Sequence, residues 1–460
     1  MDHRVAAAPR AITLGQLKGT FILEGPVNEC APDWAGLVPT GVASDSREVA
    51  PGDLFIAAPG DRLHGAAFAP SAVRAGACAV LTDHSGRAVL GDLRVPVLVT
   101  EGVRRLAGPI AAALWGQPAE HLRLTAVTGT HGVATTANMV HRLLTSRGVA
   151  AVEVTSGHLT PPVLHRGLAA RPGATDAVAG LDARALHRGA GIGLRPDVVA
   201  VAALHDTRAQ ELAVLAAEVR SLLASARRRV ILLDSDTSAH LADEFPDAVL
   251  VALATSPHAH RAWWRVTAVG ADRAASTFTL TGPGSERITT TVGRPGSLVL
   301  ADAALAVVAA ALLLDVRPLT AGVPVDIPCR MEVLARFPTV LADRATTAEE
   351  LRRVLASLPR LGRIWCVYPA DARVERTGRL QVAQALSDCA DRIVLAGSPG
   401  RGRDALRACF TPSEAGRVEC ADTLADAIGL AREGARPGDT VVVAGCGTIL
   451  GGHEPREGLT

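Results

Sequence analysis

Leu122-Arg123-Leu124-Thr125-Ala126-Val127-Thr128-Gly129-Thr130-His131-Gly132-Val133-Ala134-Thr135-Thr136 is the stretch on which the fold turns. Its first half is a short run of apolar and β-branched residues, the pattern of a strand buried on both faces. Gly129 and Gly132 then break the run, and Thr135 to Ser146 carries helical spacing. A strand, a glycine turn and a helix in that order are the opening unit of a parallel α/β layer. Such a turn is consistent with two uses: close strand–helix packing, or backbone N–H groups aimed at a phosphate.

The same alternation extends in both directions. Upstream, Leu54–Ala57, Cys78–Leu81 and Val95–Val99 read as strands among alanine-rich helical stretches. Downstream, strands are predicted at Asp197–Leu204 and Val230–Leu233, followed by an apolar helix at Ala301–Leu314. A last group follows at Arg363–Val367, Arg392–Ala396 and Thr440–Ala444. The expectation is an α/β chain of parallel sheets in three domains: 1–118, 119–325 and 326–460. The length of 460 residues accommodates this at ~100–200 residues per domain. The run Leu298–Leu314 is short for a membrane span and reads as a buried helix, and no signal-peptide core precedes residue 10.

Lys+Arg total 47 against Asp+Glu 46, a formal net charge of +1, so no overall basic face exists for coating nucleic acid. Lys18 is the single lysine, and the other 46 basic residues are arginines. Lysine chemistry (a Schiff base, a phosphate-loop ammonium, a carbamylated side chain) is therefore excluded beyond residue 18. The eight cysteines, Cys30, Cys78, Cys329, Cys366, Cys389, Cys409, Cys420 and Cys446, include no C-x-x-C pair. They read as reduced thiols of a cytoplasmic protein.

On its motifs the chain resembles the Mur ligases, most closely the UDP-N-acetylmuramoyl-tripeptide synthetases. The resemblance rests on Ser44-Asp45-Ser46-Arg47, Pro51-Gly52-Asp53-Leu54-Phe55, Gly60 through Gly65, Gly76-Ala77, the glycine turn and Cys329-Arg330-Met331-Glu332. It implies an N-terminal UDP-binding-type domain, a central P-loop-type ATPase fold and a C-terminal Rossmann-like domain. It also implies that Ser44, Asp45, Ser46, Arg47 and Thr160 lie at a uridine-linked ligand.

Where the family motif G-T-N-G-K-T-T carries its lysine and metal-binding hydroxyl, this chain has Val133 and Ala134. Gly129, Thr130, His131, Gly132 and Thr135 are what remains of that loop. The magnesium-binding glutamate segment falls near Val178–Leu181, with Asp176 and Asp182 the nearest acids. The carbamylated lysine would fall around Leu222, and the adenine-contacting asparagines fall on Val299 and Asp302. In the last section Arg330 and Asp343 persist, Arg379 lies in the altered glycine-rich stretch, and Arg401 replaces part of the amino-acid-reading segment. Gly445 and Gly447 flank Cys446 where the family has G-K-G-H-E, with His453-Glu454 shortly after.

Phosphoryl transfer depends on positioned cations that offset anionic charge, and here both lysine and metal ligands are replaced. Three functions stay open. One is a Mur-like protein without the original chemistry, binding a uridine-linked or peptide-like ligand or pairing with an active ligase, with Mg-ATP binding weak or lost. Another is a divergent ATP-dependent amide ligase using Arg330, Arg379 and Arg401. The third is other chemistry on the same fold, such as a thiol reaction at Cys446. No nucleic-acid partner, membrane or metal is expected. His258 and His260 read as a solvated loop, and Trp263-Trp264 as a strand with one buried tryptophan. Asp234-Ser235-Asp236 admits a Mg²⁺ site or a helix N-cap on Asp236 or Thr237.

Overall fold

Apolar runs four to seven residues long become strands wherever both sheet faces are covered. A computed structural model describes residues 9–28, 33–60, 63–204, 209–318, 322–370, 373–400 and 402–446. The chain divides into two compact units, residues 1–250 with 308–317, and residues 251–307 with 318–460.

The first unit carries two sheets. In the N-terminal one, β1 (Gly41–Ala43), β2 (Asp53–Ala57), β3 (Ala79–Thr82) and β4 (Val97–Val99) lie in that order, all parallel. Leu54 and Ile56 of β2 join a core with Leu14, Leu17 and Ile110. Phe55 and Ala57 point to the opposite face, into a core with Ala66, Ala69 and Ala72. Period-two alternation thus feeds two cores, and both faces read as apolar.

The second sheet holds β5 (Arg123–Gly129), β6 (Ala151–Thr155), β7 (Asp176–Asp182), β8 (Val198–Val201) and β9 (Arg228–Leu232). They are ordered β9-β8-β5-β7-β6 and all parallel. The deciding stretch is its central strand, and the helix after it spans Val133–Thr145.

In the second unit, β10 (Val249–Leu253) pairs in parallel with β11 (Trp264–Ala271) through Val251–Leu253. Strands β12 (Ser276–Thr281) and β13 (Arg287–Val292) extend β11 as an antiparallel meander. The last sheet runs β14-β15-β19-β16-β17-β18, from β14 (Glu332–Arg336), β15 (Thr339–Ala342), β16 (Ile364–Pro369), β17 (Arg392–Ala396), β18 (Val418–Ala421) and β19 (Thr440–Val443). All its pairings are parallel except the β14–β15 hairpin. The antiparallel meander and hairpin depart from the all-parallel expectation. The Thr- and Arg-bearing outer face of the meander lowers the apolar signal that marks a buried strand.

The apolar helix extends over Ser297–Leu314, four residues earlier than expected, and Ala303 to Ala310 are buried. Trp264 is buried at the start of β11 while Trp263 is exposed, as its reading required. Lys18 sits on the helix Leu14–Phe21 over the Trp34 ring, 5.7 Å from its centroid.

Candidate functional site

The turn after β5 is built by two glycines with positive φ, Gly129 (146°) and Gly132 (75°). A side chain at Gly129 would put its Cβ 2.8 Å from the Ala203 carbonyl oxygen, so the approach of the two backbones requires glycine. That carbonyl accepts the Thr130 N–H (2.7 Å), the Thr130 hydroxyl (2.8 Å) and the His131 N–H (3.4 Å). Two amides that a phosphate-cradling turn would aim outward are spent within the protein.

Val133 is buried, and its Cγ1 lies 3.5 Å from where a Cβ on Gly180 of β7 would sit. The position of the family's lysine therefore holds an apolar side chain packed on the neighbouring strand. Ala134 and Thr135 are half-buried. The β5/β7 register sets Asp182 opposite Gly129 and Asp176 opposite Arg123. Six residues at roughly 3.3 Å each put Asp176 about 20 Å from the turn, where it pairs with Arg123 at 2.9 Å. Asp182 does reach the turn, but its Oδ1 accepts the Ala185 N–H (2.8 Å) as the N-cap of the helix Ala183–His187.

The remaining positions follow the same pattern. Leu222 and Val299 are buried in apolar cores. Ser235, not Asp236 or Thr237, caps the helix Asp236–Glu244 in a capping box with Ser238, and its hydroxyl donates to the Leu204 carbonyl at 2.6 Å. Asp234 Oδ1 accepts the Leu204 N–H at 3.4 Å. The cap is thus set one residue earlier than the sequence suggests. His205 to Arg208 lie outside the described residues. Among the described residues no group of three or more His, Cys, Asp and Glu side chains converges in a way that could hold a metal ion. Among the described residues, Gly129–Thr135 carry no lysine or arginine and Asp182, set beside the turn by register, is committed to a cap, so these side chains do not fit Mg-ATP.

At the N-terminal sheet, Ser44 to Arg47 form the turn after β1. Arg47 folds back on Asp45 through its own N–H (3.0 Å), Nε (2.9 Å) and a terminal nitrogen (2.6 Å). The Arg47 hydrogen bond holds the Asp45 carboxyl below its usual range, against the opposing effect of burial; Arg188 adds a smaller attraction. Thr160 is buried and caps the helix Pro161–Leu168.

Sequence reading missed a cationic group beside this turn. Arg104 bonds the His187 ring and carbonyl, both at 3.2 Å, and the Pro59 carbonyl that borders the Gly60–Gly65 loop. Burial pushes the nearby Glu218 carboxyl up, opposed by His187 and Arg104. The signal existed as Arg104 and the Arg184-to-Arg188 segment, but no spacing rule links residues some eighty positions apart.

In the second unit, Asp343 follows β15 and is buried. Its two oxygens accept the Met331 and Ala345 N–H groups, each at 2.9 Å. Burial pushes its carboxyl up, with the exposed Arg330 opposing. Arg379 sits instead beside a small pocket formed with Tyr368, Ala370, Val374, Val382 and Leu406. Gly445 (φ 67°) packs on Pro369 at the end of β16. The structure thus brings Asp343 and Arg330 together and leaves Arg379 on a different helix, Arg376–Cys389. Cys446 is fully buried, and its thiol donates to the Asp343 carbonyl at 3.0 Å. Arg401, Gly447 and His453-Glu454 lie outside the described residues.

Parallel strands joined by helices, with a glycine turn on the central strand and a Rossmann-like last sheet, define a three-domain α/β architecture. Residues 329–447 match the family described as Mur ligase, glutamate ligase domain, and residues 39–114 match the Mur ligase family, catalytic domain. A UDP-N-acetylmuramoyl-L-alanyl-D-glutamate--2,6-diaminopimelate ligase of Streptomyces avermitilis is 32% identical over 92% of this chain and 90% of its own. A UDP-N-acetylmuramyl-tripeptide synthetase of Leifsonia xyli is 30% identical over 84% of this chain and 80% of its own. Among solved structures, MurF from Acinetobacter baumannii superposes with a TM-score of 0.64 at 16% identity, covering 88% of this chain and 90% of its own. A 2,6-diaminopimelate ligase superposes with 0.58 at 21%, covering 95% and 93%. The chain belongs to the Mur ligase family.

Proposed function

We propose that this protein is a catalytically impaired homologue of the UDP-MurNAc-tripeptide synthetases that retains a ligand-binding role. It binds a uridine-linked or peptide-like ligand at the Ser44–Arg47 turn and the Arg104–His187 group, in the cytoplasm, alone or paired with an active ligase of a specialised pathway. Its domains are 1–118, 119–325 and 326–460. One observation carries this reading. The position of the phosphate-loop lysine holds Val133, buried against β7, while the adjoining amides are bound to Ala203. The one lysine, Lys18, is engaged with Trp34. Developing negative charge at that turn would meet no lysine.

A second reading, a divergent ATP-dependent amide ligase, draws on the ligase names of relatives that align along nearly the whole chain. Calorimetric titration separates the two. The impaired reading expects no heat with Mg-ATP at millimolar concentration and saturable binding of a UDP-N-acetylmuramoyl peptide. Micromolar Mg-ATP binding, with ATP-dependent amide formation, would overturn it.

A further inference from the structure

Two buried cysteines that the ligand-binding reading does not use meet in the second unit. Cys329 lies in the turn before β14 and Cys446 just past β19. With Ala342 of β15 they close a small core of their own, at 3%, 0% and 0% exposure. One residue bonds Cys446 and the turn that carries Cys329. Asp343 accepts the Cys446 N–H (3.2 Å) and thiol (3.0 Å) on its carbonyl, and its carboxylate binds the Met331 N–H two residues from Cys329. The Cys329 N–H is fixed in turn by Glu332 Oε2 at 2.8 Å. Backbone on each side is thus fixed by hydrogen bonds, and the two side chains share one buried cluster.

We propose that Cys329 and Cys446 are a peroxide-sensitive pair that closes to a reversible disulfide, tying the turn before β14 to the end of β19. The two thiols are not equivalent. The Cys446 proton is held on the Asp343 carbonyl, and Cys329 is the less buried of the two, at 3% against 0%. Cys329 is therefore the first nucleophile. Its thiolate attacks one peroxide oxygen: the S–O bond forms, the O–O bond breaks, and hydroxide leaves as water after taking up a proton. The Cys446 sulfur then attacks the sulfenic sulfur. The S–S bond forms, the S–O bond breaks, and the departing hydroxide takes the Cys446 proton as a second water. Two thiols are oxidised and one hydrogen peroxide is reduced. Burial at 3% and 0% excludes bulky disulfides as the oxidant.

The test is a non-reducing peptide map of the purified full chain after treatment with hydrogen peroxide and alkylation of the remaining thiols. The expected product is a peptide pair joining Cys329 to Cys446, cleaved by dithiothreitol. Because the bond closes a loop of more than a hundred residues, the thermal midpoint should rise by roughly 5–15 °C. Cys446→Ser should abolish the link and let dimedone trap a sulfenic acid on Cys329. Cys329→Gly, which suits the φ of 54° there, should leave Cys446 unmodified. Cys329 and Cys446 staying alkylatable in the wild-type chain while Cys409 or Cys420 oxidises would overturn the proposal, as would their linkage to other cysteines instead of each other.

Discussion

Replacing Asp343 by alanine tests whether this acid, which persists from the family's C-terminal motifs, braces the fold or serves a ligand. The side chain is 4% exposed, and both oxygens are occupied by buried N–H donors, Met331 and Ala345 at 2.9 Å. Asp343→Ala strands both donors at about 1–3 kcal/mol each. Relief of the buried carboxylate offsets part of this, which leaves a loss of about 2–4 kcal/mol. Asp343→Asn keeps one acceptor and should lose about half as much. Met331 (φ 50°) and Cys329 (φ 54°) lie in the left-handed region within the turn this carboxylate anchors, so the damage should centre there. Urea unfolding at pH 7 reads the difference as a lower midpoint with an unchanged slope. The pH dependence has a defined sign. A carboxyl whose folded pKa is raised contributes stability that is present below the unfolded value and is lost as pH rises through the folded one. Asp343→Asn should remove that trend. An Asp343→Ala protein within about 0.5 kcal/mol of wild type would refute the brace and return the carboxylate to ligand chemistry.

Other substitutions probe the remaining sites. Burial lowers His165 to about 4, so its contribution is present above about pH 6.5 and is lost as pH falls toward 4. That amounts to about 3 kcal/mol. His165→Leu should flatten the fall in thermal midpoint between pH 7.5 and 5, and an identical fall in both proteins would count against it. Gly129→Ala should cost about 2–3 kcal/mol, because the new Cβ meets the Ala203 carbonyl at 2.8 Å with φ at 146°; thermal unfolding checks it. Arg47→Ala should leave stability unchanged, since the side chain is 83% exposed. It should weaken binding of a UDP-N-acetylmuramoyl peptide about tenfold by calorimetry; equal affinity would remove Arg47 from the ligand site.

Legibility followed burial. The strand predicted at Arg392–Ala396 matches β17, and those at Leu54–Ala57 and Val230–Leu233 fall within a residue or two of β2 and β9. Strand β7 escaped notice because Asp176-Ala177-Val178-Ala179-Gly180 is small-residue sequence without β-branched density. It is a strand because β5 and β6 pair with it on both sides. Strands β12 and β13 do alternate, with Phe278, Leu280, Ile288 and Val292 turned inward. Their outward threonines and an arginine blur that period for a reader without the partner strand. The roles of the site residues were legible only in part. Asp182 and Ser235 are ordinary cap residues, but which acid sits beside the glycine turn depends on strand register.

Composition and local order determined the class. A single lysine at residue 18 fixed that the central turn carries none, and glycines after an apolar strand fixed where that turn lies. Residue identity sets charge, hydrogen-bonding capacity and local propensity, and these are properties of the chain itself. Tertiary structure alone decided that the loop amides are spent on Ala203, that Asp343 is a brace, and that Cys329 meets Cys446. Each of these depends on which groups, distant in sequence, are brought to hydrogen-bonding distance and shut away from water. Short-range sequence pattern carries no record of such pairings, because burial and register are set by the whole fold.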